Sequence, residues 1–160
     1  MSEYDRALNY CYLLLKYRNR AEKEIIDKLK QKNYCETTIN LVINKLKSLN
    51  FINDEKYATE YIKYNLEKGK GIIYIKNQLI KKGIKKEIIA DSIDKLKPTA
   101  DSEYESAKLL FNKKIKQYEN LPVNKIYNRI SGYLARRGFS LETINKLFIE
   151  WNNDLKEKLV

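Results

Sequence analysis

One arrangement of apolar residues occurs three times along the chain. With Leu29, Leu79 and Leu134 aligned, the segments 29–46, 79–96 and 134–151 superpose without a gap. Ile25, Ile75 and Ile130 stand one helical turn upstream of those leucines, on the same helix face. Asn33, Gly83 and Gly138 follow, each succeeded by an apolar residue: Tyr34, Ile84 and Phe139. Then come Ile39, Ile43 and Leu46, repeated as Ile89, Ile93 and Leu96 and as Ile144, Phe148 and Trp151, at i, i+4, i+7 spacing. Ala7, Ala58 and Ala107 mark an amphipathic stretch in front of each copy. The pattern predicts two helices around a tight corner, preceded by a third helix, in each of three repeats. Asn or Gly at the corner suits a helix-ending residue in the left-handed conformation.

Nine helices are expected, over 3–17, 20–33, 35–49, 53–68, 71–82, 85–97, 101–117, 123–137 and 140–156. The fold class is all-α: three tandem three-helix, helix-turn-helix-like repeats over 1–52, 53–98 and 99–160, in an elongated or curved array. Asp54 is the expected N-cap of the fourth helix and Ser140 that of the ninth. Lys68-Gly69-Lys70-Gly71 reads as a loop inside the second repeat, Asn120-Leu121-Pro122 as a break inside the third, and Lys97-Pro98-Thr99 as the close of the second.

Composition narrows the function. With 160 residues, 43% of them hydrophobic, the chain has enough apolar material for a core, and 5 Gly with 2 Pro argue against a turn-rich β fold. There is no His, which removes imidazole-based catalysis and His-ligated metal sites. Cys11 and Cys35 are too few for a structural zinc site and read as inert thiols in a reducing compartment. Met1 to Arg6 is polar and acidic, unlike a signal peptide, and no apolar run approaches the roughly 18 residues a membrane helix needs. A cytoplasmic location without membrane contact is expected. The net charge of +11 implies an anionic partner, although a Lys-, Asn-, Ile- and Tyr-rich composition is also what AT-rich codons produce. The excess is spread as +4 over 1–50, +4 over 51–100 and +3 over 101–160, so a binding surface would belong to the folded body.

The basic residues fall at the repeated corner. Lys30 and Lys32 flank the first, Lys81, Lys82, Lys85 and Lys86 the second, and Arg136 and Arg137 the third. Lys and Arg also favour helix C-termini for dipole reasons alone, which accounts for one pair per copy without any ligand. The two arginines stand out against a background of 6 Arg and 26 Lys, because a guanidinium fork suits phosphates and carboxylates. The third helix of each repeat is a poor base reader. Copy one offers Glu36, Thr37, Thr38, Asn40 and Asn44, copy three offers Glu142, Thr143, Asn145 and Lys146, and copy two places Glu87, Asp91 and Asp94 there. Tyr57, Tyr61 and Tyr64 have helical spacing and are expected to pack at the core edge rather than stack on bases. No Gly-rich phosphate loop, nucleophile–base pair or metal cluster is present, so catalytic, cofactor and metal residues are none and the chain is not expected to be an enzyme.

Three stretches in order carry a resemblance. They are Arg20-Ala21-Glu22-Lys23-Glu24-Ile25 leading to Asn50-Phe51-Ile52-Asn53-Asp54-Glu55, then Gly71-Ile72…Lys82-Gly83-Ile84, then Tyr133-Leu134-Ala135-Arg136-Arg137-Gly138-Phe139-Ser140. Together they resemble the RecX regulatory proteins of bacteria over about residues 5–152, the last matching that family's (K/R)RGF(S/D) element. Asn33 departs from the family's usual Gly, and Ala21 from a small polar cap of the second helix, for which Asn19 is the substitute expected here. The resemblance implies a modulator that binds the filament of RecA recombinase on single-stranded DNA. It implies inhibition of recombinase activity by blocking filament extension or promoting disassembly. The corner residues are then the expected contacts with DNA or RecA, duplex DNA is bound weakly at most, and the chain acts as a monomer. The alternative is a general DNA-binding protein with helix-turn-helix repeats.

Overall fold

The corner residues take the conformation the pattern demands. Asn33, Gly83 and Gly138 have φ of 60°, 81° and 91°. In each, the following apolar residue donates its N–H to the carbonyl of the aligned leucine: Tyr34 to Leu29 at 3.3 Å, Ile84 to Leu79 at 3.1 Å, and Phe139 to Leu134 at 3.2 Å. This is the Schellman closure of a helix C-terminus. The same closure appears at Asn50, with φ of 57°, and Gly69, with φ of 67°, which end the third and fourth helices.

The structure, a computed structural model, describes residues 1–96 and 100–157. The expected close of the second repeat at Lys97-Pro98-Thr99 lies outside the described residues. Among them are nine helices and no strand: α1 (Glu3–Tyr17), α2 (Glu22–Gln31), α3 (Glu36–Ser48), α4 (Asp54–Glu67), α5 (Ile72–Lys81), α6 (Lys86–Leu96), α7 (Ala100–Tyr118), α8 (Val123–Arg136) and α9 (Leu141–Glu157). The expected boundaries agree within two residues.

The helix starts differ from expectation at α2 and α4. Asn53, not Asp54, caps α4, its Oδ1 accepting from Lys56 N at 2.9 Å. Asp54 Oδ1 instead accepts the N–H of Glu22 at 2.9 Å, at the start of α2. Ala21 offers α2 no side-chain cap, and Asn19 does not replace it, since its Nδ2 donates to Glu60 at 2.7 Å. Ser140 caps α9 as expected, accepting from Thr143 N at 3.1 Å. Ser2 caps α1 in a reciprocal capping box with Asp5.

The chain divides into two compact units, Met1–Tyr61 with Gln78–Lys95, and Ile62–Asn77 with Leu96–Val160. The division passes through α4 and α5, so the second three-helix group contributes to both. One core cluster gathers Ala7, Cys11, Ile25, Leu29, Ile39, Val42, Ile43, Leu46 and Ile52. The other gathers Ala107, Phe111, Ile126, Ile130, Leu134, Phe139, Ile144, Leu147 and Phe148. The three marker alanines are completely buried, as are Ile25, Ile75, Ile130 and their partner leucines. Each such leucine or isoleucine contributes roughly 1.5–3 kcal/mol by burial. Tyr57 is buried and stacks on Tyr61 with ring centroids 6.1 Å apart, whereas Tyr64 is exposed.

Candidate functional site at the basic corners

The first corner stands on α2, whose apolar face is pinned by Ile25 and Leu29. Its polar end therefore points outward, and Lys30 and Lys32 are exposed. Lys32 Nζ lies 5.7 Å from the centroid of the Tyr10 ring. At the second corner Lys81, Lys85 and Lys86 are exposed, while Lys82 is partly covered and sits 5.5 Å from the Tyr61 ring. A cation over an aromatic face gains about 0.5–1 kcal/mol at such sites, which holds the ammonium without neutralising it.

The second corner rests on α2. The Lys23 stem crosses Gly83 so closely that a Cβ added there would lie 2.7 Å from Lys23 Cβ. Lys81 and Lys82 thus share a cleft with Arg18, Lys23, Glu24 and Asp27. Both acids in that cleft already have partners. Asp27 pairs with Lys23 at 3.1 Å, and Glu24 with Arg20 and with Arg18, the latter at 2.5 Å. Partial burial works against the charged Glu24 carboxylate, but the hydrogen bonds and charges of Arg18 and Arg20 outweigh it and hold its pKa below the ordinary value. Lys85 lines a second cleft with Glu22, Lys47, Asp54 and Glu55. There, burial outweighs the Glu22 N–H and raises the pKa of Asp54.

The third corner separates its two arginines. Arg136 is exposed, its guanidinium lying over Gly132. Arg137 is half-buried, and its Nη1 donates to the carbonyls of Lys68 and Gly69 at 3.1 and 3.2 Å. Its own carbonyl accepts from Gly71 N at 2.8 Å, and its guanidinium carbon lies 5.2 Å from the Tyr133 ring. Arg137 therefore ties the Lys68–Gly71 turn to the third corner and places Lys68 and Lys70 beside it. Sequence reading missed these two lysines. Their signal was the Lys-Gly-Lys-Gly turn, but only the Arg137 bonds reveal which corner it joins.

The eight candidates thus fall in two groups, with six in the first unit and Arg136 and Arg137 in the second. Among the described residues none of the eight forms an ion pair, although Arg18, Arg20, Lys23, Lys47, Lys95 and Lys108 do. Unpaired cations at helix ends offer a surface to phosphates or to carboxylates of a partner. The third helix of the second repeat keeps the acidic character read from the sequence, with Glu87, Asp91 and Asp94 exposed on α6. Among the described residues no cluster of acids and cysteines is able to hold a metal, and no helix is long and apolar enough to cross a membrane.

Tandem three-helix repeats with cationic corners define a class of all-α repeat protein. Family models for the first, second and third three-helix domains of RecX match residues 7–46, 53–93 and 101–148, in order. The regulatory protein RecX of Streptococcus agalactiae serotype III (strain NEM316) is 32% identical over 98% of this chain, which spans 60% of that relative's length. The regulatory protein RecX of Clostridioides difficile (strain 630) is 31% identical over 90% of this chain and 67% of its own. The crystal structure of RecX from Lactobacillus salivarius superposes with a TM-score of 0.83 at 30% identity, over 94% of this chain and 97% of that one. The chain belongs to the RecX family of regulatory proteins.

Proposed function

We propose that this chain regulates the RecA recombinase by binding the RecA filament on single-stranded DNA and lowering its activity, through blocked extension or promoted disassembly. Family membership supports the RecA connection. The observation that carries the surface is the set of eight cations at three corners, none of them in an ion pair among the described residues: Lys30, Lys32, Lys81, Lys82, Lys85, Lys86, Arg136 and Arg137. A filament presents DNA phosphates together with protein side chains, and such a partner needs no base-reading helix. That accords with the acidic outer face of α6. The protein works as a monomer in the cytoplasm, where the filament forms.

Steady-state ATP hydrolysis by RecA on single-stranded DNA tests the reading, with this protein titrated well below one copy per RecA. A fall in rate at those ratios is expected. An unchanged rate at excess protein, with filament binding checked by co-sedimentation, would remove the inhibitory reading. Tight binding to naked DNA, with no preference for RecA-coated DNA, would instead favour a general DNA-binding protein.

A further inference from the structure

The joints between successive repeats use the same parts. Asp54 and Glu103 occupy equivalent positions, each one helical turn before the buried marker alanine of its repeat, Ala58 or Ala107. Asp54 accepts the N–H of Glu22, the first residue of α2, at 2.9 Å. Glu103 accepts the N–H of Ile72, the first residue of α5, at 3.0 Å. Ile72 aligns with Glu22 in the repeat, each standing three residues before its marker isoleucine. In both cases a carboxyl oxygen from one repeat supplies the acceptor that the uncapped second helix of the preceding repeat lacks.

A second contact accompanies the first. The corner glycine of the later repeat presses on the same helix start, Gly83 on Lys23 and Gly138 on Gly71 and Tyr74. A Cβ on Gly138 would lie 2.3 Å from Tyr74 N, and one on Gly71 would lie 2.2 Å from the Gly138 carbonyl oxygen. The joint of the first and second repeats lies wholly in one compact unit and that of the second and third wholly in the other. The second repeat is divided because its donor side serves one joint and its receptor side the other.

The first and third repeats lack the free halves. In the first, Glu3 occupies the position of Asp54 and Glu103, but its Oε1 accepts Cys35 N at 3.1 Å within its own repeat, and Asn33 replaces the corner glycine. In the third, the residue aligned with Glu22 and Ile72 is Tyr127, already one turn inside α8. The small Ala21 and Gly71 are matched there by Ile126, which is buried in the third repeat's own core.

We propose that a single latch, a carboxylate and a corner glycine seated on the preceding repeat's second helix, sets the stacking register. Amide hydrogen exchange on the full chain tests the latch. Asp54→Ala should speed exchange at Glu22 by roughly fivefold while leaving Ile72 unchanged, and Glu103→Ala should do the reverse, whereas Asp54→Asn and Glu103→Gln keep an acceptor and keep protection. Unchanged or unselective exchange in the alanine variants would overturn it. The swap Gly138→Asn tests the close approach separately, because Asn tolerates positive φ but not the missing space. It should lower stability strongly where Asn33→Gly does not, and equal stability of the two would overturn the assignment.

Discussion

Arg136 and Arg137 are neighbours with different work. Arg136 is exposed and makes no ion pair among the described residues, so Arg136→Ala should weaken binding to the anionic partner and leave the unfolding midpoint nearly unchanged. Arg137 satisfies two carbonyls at the end of α4, and its loss leaves both without that donor. Arg137→Ala should therefore cost about 1–3 kcal/mol of stability as well as binding, measured by urea unfolding beside a binding titration. The two thiols divide similarly. Burial pushes the Cys11 thiol up to about 11. Cys35 is exposed at the start of α3, with Sγ 3.1 Å from the hydroxyls of both Thr37 and Thr38. Those hydrogen bonds, with the Thr38 N–H, lower its pKa against the opposing Glu3. A disulfide-exchange reagent near neutral pH should titrate one thiol rapidly and the second only after unfolding, and replacing Cys35 should remove the fast phase. The sequence reading treated both thiols as inert. The hydroxyls that distinguish Cys35 were visible as Thr37 and Thr38, but their geometry was not.

At the scale of helices, periodicity carried most of the information. The marker isoleucines, leucines and alanines are all buried because each repeat has one apolar stripe and one place to put it. The corners were legible because only positive φ closes a helix that way, and Asn and Gly are the residues that accept it. Asp54 was not legible. From sequence it is a helix-start acid like any other, and only the fold places α2 beside it. That position has a pH consequence. Burial raises the Asp54 pKa from its ordinary 3.8, the Glu22 N–H opposes the rise, the Glu22 charge adds to it, and Lys47 and Lys85 oppose it. The folded chain thus holds this proton more tightly than the unfolded chain. Its contribution to stability falls as pH rises from about the ordinary value through the raised one. Asp54→Asn keeps the acceptor without the buried charge. It should match or exceed the wild type at neutral pH and lose that advantage in acid, whereas Asp54→Ala should be less stable by about 1 kcal/mol. Urea midpoints at pH 3 and pH 7 measure both.

For the molecule as a whole, the net charge of +11 has two readings, an anionic partner or the codon usage of an AT-rich genome, and the salt dependence of binding distinguishes them. If the corners meet phosphates, each contact releases counterions, and affinity must fall with salt in proportion to their number. Alanine at Lys30, Lys32, Lys81 and Lys82 removes four exposed or partly exposed cations, none of which bonds to a backbone carbonyl as Arg137 does. The plot of log affinity for RecA-coated single-stranded DNA against log salt should then become shallower by roughly 3, at about 0.7 for each contact on a single strand, with the unfolding midpoint little changed. The loss should also be uniform across DNA sequences, because no base-reading helix takes part. A weaker complex with the original slope would mean that these lysines meet protein carboxylates rather than phosphates, and the corner would be a RecA contact alone. An unchanged affinity and slope would return the charge to composition and leave the binding surface to the other faces of the repeats.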